Sequence, residues 1–296
     1  MPHVHRWDVG HPQLLLHIVH GMAEHGARYG RLAAQLNAHD IAVWAHDHRG
    51  HGLTATPDEL GHFGDSNGWR LLVDDAWNVS RDMMAAYPSA SIVLFAHSMG
   101  SFVGQTLLGE HGGSYRAAVL SGTNGPPDAR EGLLRVLSGV QLQTLGPRNP
   151  GKWIDHQVTK TFNRRFEPRE TNFDWLSRDK EEVRKYVNDP LCGFPLTAQS
   201  WFDFLNGKSQ LGSDEHVDRI PKTLPIHIIG GTHDPVGEDT KGVERLLTLY
   251  RKKGLTVSSR FYDDARHELV NELNRAGVTK DLIDWVLQFA PRAEPA

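Results

Sequence analysis

The chain has one cysteine, Cys192, among 296 residues, which excludes an internal disulfide and suits a reducing compartment, with the cytoplasm as the expected setting. It has no excess of positive charge. Lys and Arg number 32 against 36 Asp and Glu, a formal net charge of -4 with no long basic run, so a nucleic-acid partner has no electrostatic support. Long hydrophobic runs are missing too. No stretch approaches the ~18 continuous apolar residues of a membrane-crossing helix, and the opening MPHVHRWDVGHPQ has no apolar leader core, so neither feature is expected. What is left is an ordinary globular composition, 39% hydrophobic and 23% charged, sufficient for one sizeable core with an inserted subdomain.

Short apolar runs alternate with helical patterns, the rhythm of an α/β fold with a mostly parallel, doubly wound sheet. Six strands are predicted: Leu14 to Val19, Ile41 to Ala45, Ile92 to Ala96, Ala117 to Leu120, Ile226 to Ile229 and Thr256 to Phe261. Leu72, Ala76, Val79 and Met83 recur at spacings of three and four before Pro88, which predicts an amphipathic crossover helix over 68–86. The rhythm fails from Gly125 to Leu224. There helical patches follow one another without a clear strand, opened by Pro126 and Pro127 and closed by Pro221 and Pro225. Residues 125–224 therefore read as a helical cap inserted into a sheet core made of 1–124 and 225–290, and the tail 291–296 as disordered.

Within LFAHSMGSF, residues 94–102, a run fit for a strand buried on both faces stops at Ala96, and a helical pattern starts beyond Ser98. A strand, a sharp turn with serine at its apex and a helix make a nucleophile elbow. The strained turn exposes the hydroxyl, and the residues two before and two after must be small because they press on neighbouring backbone. Ala96 and Gly100 meet that demand. Serine is a weak nucleophile without a general base, and the base needs an orienting acid. Eighteen histidines make mere presence uninformative, so position decides. An acid should follow one later strand and a histidine the next. GGTHDPVG, after the fifth predicted strand, supplies Asp234, and YDDARHELVNE, after the sixth, supplies His267. His233, Asp263 and Asp264 are local competitors, disfavoured because a residue in the same short loop rarely reaches the imidazole nitrogen that faces away from the serine. The oxyanion of an attacked acyl carbon needs two donors. The backbone N–H groups of Met99, after the nucleophile, and Met22, in HGMAEHGARYG after the first predicted strand, are the candidates.

These residues resemble the α/β-hydrolases of the monoacylglycerol lipase and lysophospholipase type, a serine aminopeptidase S33-like group. Besides AHSMG, the resemblance runs through HGMAEHGARYGRLAAQL, HDHRGHG, SRDKEEVRKYVNDPLC, GGTHDPV and ARHELVNE, in order over nearly the whole chain. It implies an α/β-hydrolase fold with an inserted helical cap, and a Ser-Asp-His hydrolase of esters of single acyl chains that uses no cofactor and no metal. Ser98 matches the nucleophile, Asp234 the acid, His267 the base, and Met22 with Met99 the oxyanion donors. Glu24, Arg28 and Tyr186 match residues that shape the polar end of the substrate pocket, although the spacing of Glu24 and Arg28 also suits a pair that braces a loop. Three departures stand out. Ala23 and Ala96 occupy positions where glycine is usual, and the strand that commonly precedes the segment matching HVHRWDV is expected to be missing.

HDHRGHG also suggests a metal cluster of His46, Asp47, His48 and His51, disfavoured because consecutive loop residues seldom converge on one ion. In the cap, Leu133, Leu134, Val136, Leu137, Val140 and Leu145 recur at helical spacing over 131–145, a face that either covers the pocket or packs on the core. Arg148, Lys152, Lys160, Arg164, Arg165 and Arg169 form a basic stretch that either rests on anionic lipid, as a peripheral membrane contact, or is simply solvated. A small lipid or ester is the expected partner. A general carboxylesterase, a thioesterase, a proline-type aminopeptidase and a catalytically silent ligand-binding member remain open alternatives on the same fold.

Overall fold

The structure, a computed structural model, describes residues 1–291, so the predicted disorder of the tail 291–296 lies, but for its first residue, outside the described residues. Seven strands form one sheet in the order β1-β3-β2-β4-β5-β6-β7. They are β1 (Val4–Trp7), β2 (Leu14–Val19), β3 (Ile41–His46), β4 (Ser91–His97), β5 (Ala117–Ser121), β6 (Ile226–Gly231) and β7 (Val257–Tyr262). Six of them are the predicted strands, and all their mutual pairings are parallel. β1 is an unpredicted seventh, antiparallel to β3 and cut from the HVHRWDV segment itself. A four-residue, partly exposed strand at a sheet edge carries no apolar run, so its sequence has no strand signal.

All six residues of β2 and of β3 are buried because helices cover both faces of the sheet. Alternation sorts them. Leu14, Leu16 and Ile18 join one core layer with α1 (Gly30–Asn37) and α10 (Arg275–Leu287), whereas Leu15 and Val19 join the other with α2 (Gly68–Ala86), α3 (Met99–His111) and α9 (Lys241–Lys252). α2 spans the residues its periodicity predicts, with Leu72, Ala76, Val79 and Met83 on its buried side.

Between β5 and β6 lie α4 (Ala129–Leu145), α5 (Lys152–Asn163), α6 (Lys180–Asn188), α7 (Ala198–Lys208) and α8 (Asp214–Arg219), with one isolated strand-like bridge between Pro150 and Thr197. This insertion is anchored unevenly. α4 buries only Ser138 and Gln141, and α5 only Ile154 and Asn163, whereas Trp201, Phe204 and Leu205 of α7 share one core cluster with Phe102 and Val103 of α3.

A chain of buried polar groups crosses the layer beneath β2 and β3. His48 Nε2 donates to the His20 carbonyl at 3.1 Å, and a carbonyl only accepts, which fixes the direction of every bond behind it. His46 Nε2 then donates to His48 Nδ1 at 3.3 Å, His17 Nε2 to His46 Nδ1 at 3.0 Å, Ser80 Oγ to His17 Nδ1 at 2.8 Å, and the Tyr115 hydroxyl to Ser80 Oγ at 2.7 Å. His20 and His51 are likewise held, each with one ring nitrogen donating to a carbonyl and the other accepting a backbone N–H. Each imidazole is therefore neutral. Burial first, then repulsion from neighbouring histidines, lowers His17 to about 3 and His51 to about 4, and takes His20, His46 and His48 well below the ordinary 6.5, against the opposing pull of a bonded carbonyl at His20, His48 and His51. Of the HDHRGHG histidines, His46 and His48 thus serve as links in a hydrogen-bond chain, and His51 is held separately between Ala23 N–H and the Arg49 carbonyl.

These depressed values set the acid stability. Below pH 6.5 the unfolded chain takes up protons that the folded chain refuses, so stability falls as pH falls. Five such groups cost up to ~7 kcal/mol per pH unit, against a total stability of ~5–15 kcal/mol. Circular dichroism at graded pH should therefore show cooperative unfolding between pH 6.5 and ~4. A fold unchanged at pH 4 would contradict this account of the histidines.

Candidate active site

In an open α/β sheet, ligands gather outside the carboxyl ends of the strands where the strand order reverses. Here that crevice lies between β2 and β4. β4 delivers Ser98 at its end, with φ 52° and ψ -122°, a conformation costly for a residue with a side chain. The turn is held from both sides. Ser98 N–H donates to the Ser121 carbonyl at 2.9 Å, and the Ser98 carbonyl accepts from Ser101 N–H at 2.8 Å and Ser101 Oγ at 2.6 Å. A Cβ on Gly100 would lie 2.2 Å from the Val19 carbonyl oxygen and 2.4 Å from that of His20, so nothing larger than glycine fits. Ala96 is accommodated because Gly104, whose own Cβ would come within 2.8 Å of the Ala96 methyl, has none.

The loops after β6 and β7 bring Asp234 and His267 together. His267 Nδ1 donates to Asp234 Oδ1 at 2.9 Å, and the same oxygen accepts Val236 N–H at 2.9 Å. The carboxylate only accepts, so Nδ1 carries the hydrogen and Nε2 is left bare. Both side chains are buried, the imidazole between the His97 ring at 4.7 Å and the Trp175 ring at 4.9 Å. Gly122, at φ 58°, makes room beneath them, since a Cβ there would lie 2.8 Å from His267 Cε1. Burial alone would lower the His267 pKa, but the charge and hydrogen bond of Asp234, helped by Glu268 and Glu24, raise it above the ordinary value. His97 is lowered to about 4 by burial and by the charge of His267, so it stays neutral beside it. The local competitors fall away, for His233 and Asp264 form only a loose, exposed pair at 3.9 Å.

Ser98 and His267 line one cavity of about 430 Å³, together with Met22, Met99, Phe102, Phe173 and Trp175. No hydrogen bond joins Ser98 Oγ to His267 among the described residues. The amides of Met22 and Met99 also have no acceptor among the described residues. On either side of Met22, Gly21 N–H donates to Glu24 Oε1 at 2.5 Å and Ala23 N–H to His51 Nε2 at 3.0 Å. Ala23 has φ 52°, so alanine replaces glycine here at a strain of about 1 kcal/mol.

The expected polar pocket takes a different form. Arg28 does not line the cavity. Its guanidinium grips both oxygens of Glu268 at 2.7 Å and Glu24 Oε2 at 2.7 Å, the bracing alternative that the four-residue spacing allowed. Glu24 and Tyr186 do reach the cavity wall, but Glu24 also accepts from Gly21 and Tyr29, and the Tyr186 hydroxyl donates to the Ala23 carbonyl at 2.8 Å. A second correction concerns α4. Only Leu134 of its apolar positions lines the cavity, while Leu133, Val136, Val140 and Leu145 face solvent.

Sequence reasoning missed three residues at the site. Glu268, next to His267, is brought down to about 2 by Arg28 against the opposing effect of burial, and the 240-residue separation of that pair hides it from any local pattern. Lys208 is buried in the cavity wall, paired with Glu131 at 2.6 Å and 4.3 Å above the Phe102 ring. Asp155 also lines the cavity, and burial pushes its pKa up to about 7. Both lie on helices whose periodicity marks a buried side without telling core from cavity.

Sheet order, insertion and elbow together define an α/β-hydrolase. The protein-family description serine aminopeptidase, S33, matches residues 10–274, and the chain belongs to that family. Human monoglyceride lipase is 30% identical over 302 residues, covering 97% of this chain and 86% of the relative. The monoacylglycerol lipase of Mycolicibacterium smegmatis is 27% identical, covering 93% and 89%. Among solved structures, a thermostable carboxyl esterase from Bacillus coagulans in complex with glycerol superposes with a TM-score of 0.88 at 26% identity, over 98% of this chain and 95% of that one.

The His267–Asp234 pair predicts a pH profile. If neutral His267 is the reactive form, kcat/KM for an ester should rise with pH through a midpoint above 6.5. In Asp234→Asn the raising charge is gone, so the midpoint should move to lower pH while the plateau drops by ~10³–10⁴. An unchanged profile in that variant would sink the pairing as a functional unit.

Proposed function

We propose that this protein is a serine hydrolase of esters of single acyl chains, of the monoacylglycerol lipase or lysophospholipase kind. The observation that carries the reading is the opening of the strained Ser98 turn and of His267, held from behind by Asp234, onto one cavity of about 430 Å³. That volume falls in the usual range for sites enclosing a small ligand, ~300–1,000 Å³. The names of the human and mycobacterial relatives support the substrate class.

In the proposed reaction His267 Nε2 takes the Ser98 proton as Oγ attacks the ester carbonyl. Asp234 holds the imidazole in the required tautomer and stabilises its charged form. The unpartnered amides of Met22 and Met99 receive the oxyanion, and collapse expels the alcohol, which leaves with the proton from His267. Water, deprotonated by the same imidazole, then releases the fatty acid and restores Ser98. These steps use the protein's own side chains and amides.

A fluorophosphonate probe should label the wild-type chain and not Ser98→Ala. In a panel of 1-monoacylglycerols, lysophospholipids, p-nitrophenyl esters, acyl thioesters and aminoacyl amides, medium or long monoacyl esters should give the highest kcat/KM. Absence of labelling would refute an activated serine. Labelling with a preference for amides or thioesters would keep the nucleophile and reject the substrate class.

Lipid contact through the cap is the second part of the proposal, in a reducing, cytoplasmic setting suited to the free thiol of Cys192. No helix among the described residues is long and apolar enough to cross a membrane. The outward side chains of Leu133, Val136 and Val140, at helical spacing on α4, form an apolar stripe that a bilayer surface would cover. The basic stretch contributes less than its count suggests, because Arg148 pairs with Asp65 and Arg165 with Asp239. Val136→Asp should reduce co-sedimentation with anionic vesicles at least several-fold while leaving turnover of a soluble short-chain ester intact. Equal sedimentation of the two proteins would exclude docking through α4.

A further inference from the structure

The cap meets the Met22 loop at Ala23 and at His25. The Ala23 carbonyl accepts Gly193 N–H at 2.9 Å and the Tyr186 hydroxyl at 2.8 Å. At this seam three side chains of different donor chemistry converge. A ring nitrogen of His25, a carboxylate oxygen of Asp189 and Sγ of Cys192 all lie within 4.8 Å of one another. His25 belongs to the Met22 loop, Asp189 and Cys192 to the segment after α6. Imidazole nitrogen, carboxylate oxygen and thiolate sulfur are the donors zinc takes, at bonds of ~2.0–2.3 Å, and small side-chain movements close that spacing to a tetrahedral site. We propose that His25, Asp189 and Cys192 form a binding site for a divalent cation of the zinc type, with water in the fourth position, clamping the cap to the Met22 loop.

The surroundings favour a cation there. Asp189 Oδ1 accepts Leu191 N–H at 2.9 Å, which orients the carboxylate and leaves Oδ2, now 2.9 Å from His25 Nε2, for the ion. Cys192 feels the negative charges of Asp189, Glu24 and Glu268 as well as the positive charge of Arg28. An adjoining trio, His5, His25 and Asp47, meets the same spacing but is less available. Both Asp47 oxygens already accept backbone N–H groups, from Gly26 and Leu53 at 2.7 Å, and His5 besides. Burial raises the Cys192 thiol pKa, so the ion must displace its proton to solvent as the metal–sulfur bond forms, and affinity should rise with pH.

The test uses the whole chain, reduced and stripped with a chelator, titrated with Cd²⁺. Wild type should develop the ultraviolet thiolate-to-cadmium charge-transfer band, saturating at one equivalent. Added Zn²⁺ should abolish the band and slow reaction of Cys192 with a thiol reagent. The band should be lost in Cys192→Ser, and the apparent Cd²⁺ affinity should fall at least tenfold in Asp189→Asn, with wild-type circular dichroism certifying each variant's fold. A wild-type chain without a saturating band would overturn the site. So would an unchanged affinity in both Asp189→Asn and His25→Gln, since that describes an isolated thiol rather than three converging ligands.

Discussion

The close approach of Gly100 to the carbonyls of Val19 and His20 sets the geometry at the carboxyl end of the sheet. It lets α3 begin directly behind Ser98 and press against the end of β2, from which the Met22 loop departs. The His20 carbonyl is used twice, crowding Gly100 on one side and terminating the histidine chain through His48 on the other. Position of Ser98, position of the Met22 amide and integrity of the buried imidazoles are therefore coupled through a single peptide. A methyl group on Gly100 would have to push β2 and β4 apart, disturbing all three together.

The buried Arg28–Glu268 pair performs a similar service across the crevice. It joins the Met22 loop to the loop of His267, and Glu24 fastens the same guanidinium to Gly21. Buried ion pairs contribute little net stability over an apolar replacement, whereas removal of one partner alone costs ~3–5 kcal/mol. The value of this pair lies in registration. Two loops separated by most of the chain are held to within hydrogen-bond tolerance of each other, which catalysis by alignment requires.

Legibility in the sequence followed physical cause. Strands buried on both faces have to be continuous apolar runs, so β2 to β6 could be read within a residue or two; β7, an edge strand of alternating exposure, was also found, while β1 at the other edge was not. Ser98, Asp234 and His267 were singled out because each sits just past a strand in one chain order, and the structure brings Asp234 and His267 into contact. Periodicity fixed the extent of α4 but not its orientation, because a stripe of Leu and Val looks the same whether it faces a cavity or open solvent. The pairing of Arg28 with Glu268 and the relay from Tyr115 to His20 depend on tertiary proximity alone, and no local spacing encodes them.

The uneven anchoring of the insertion divides it into parts with different evolutionary freedom. α7 belongs to the main core, so its apolar residues answer to the stability of the whole domain. α4 and α5 bury almost nothing and still supply Leu134, Asp155 and Val158 to the cavity wall. Substitutions in these two helices are cheap for the scaffold and direct for the substrate. Descendants of this chain can thus drift in the molecules they accept while their sheet, elbow and imidazole relay stay fixed, and diversity among homologues should concentrate in these two helices.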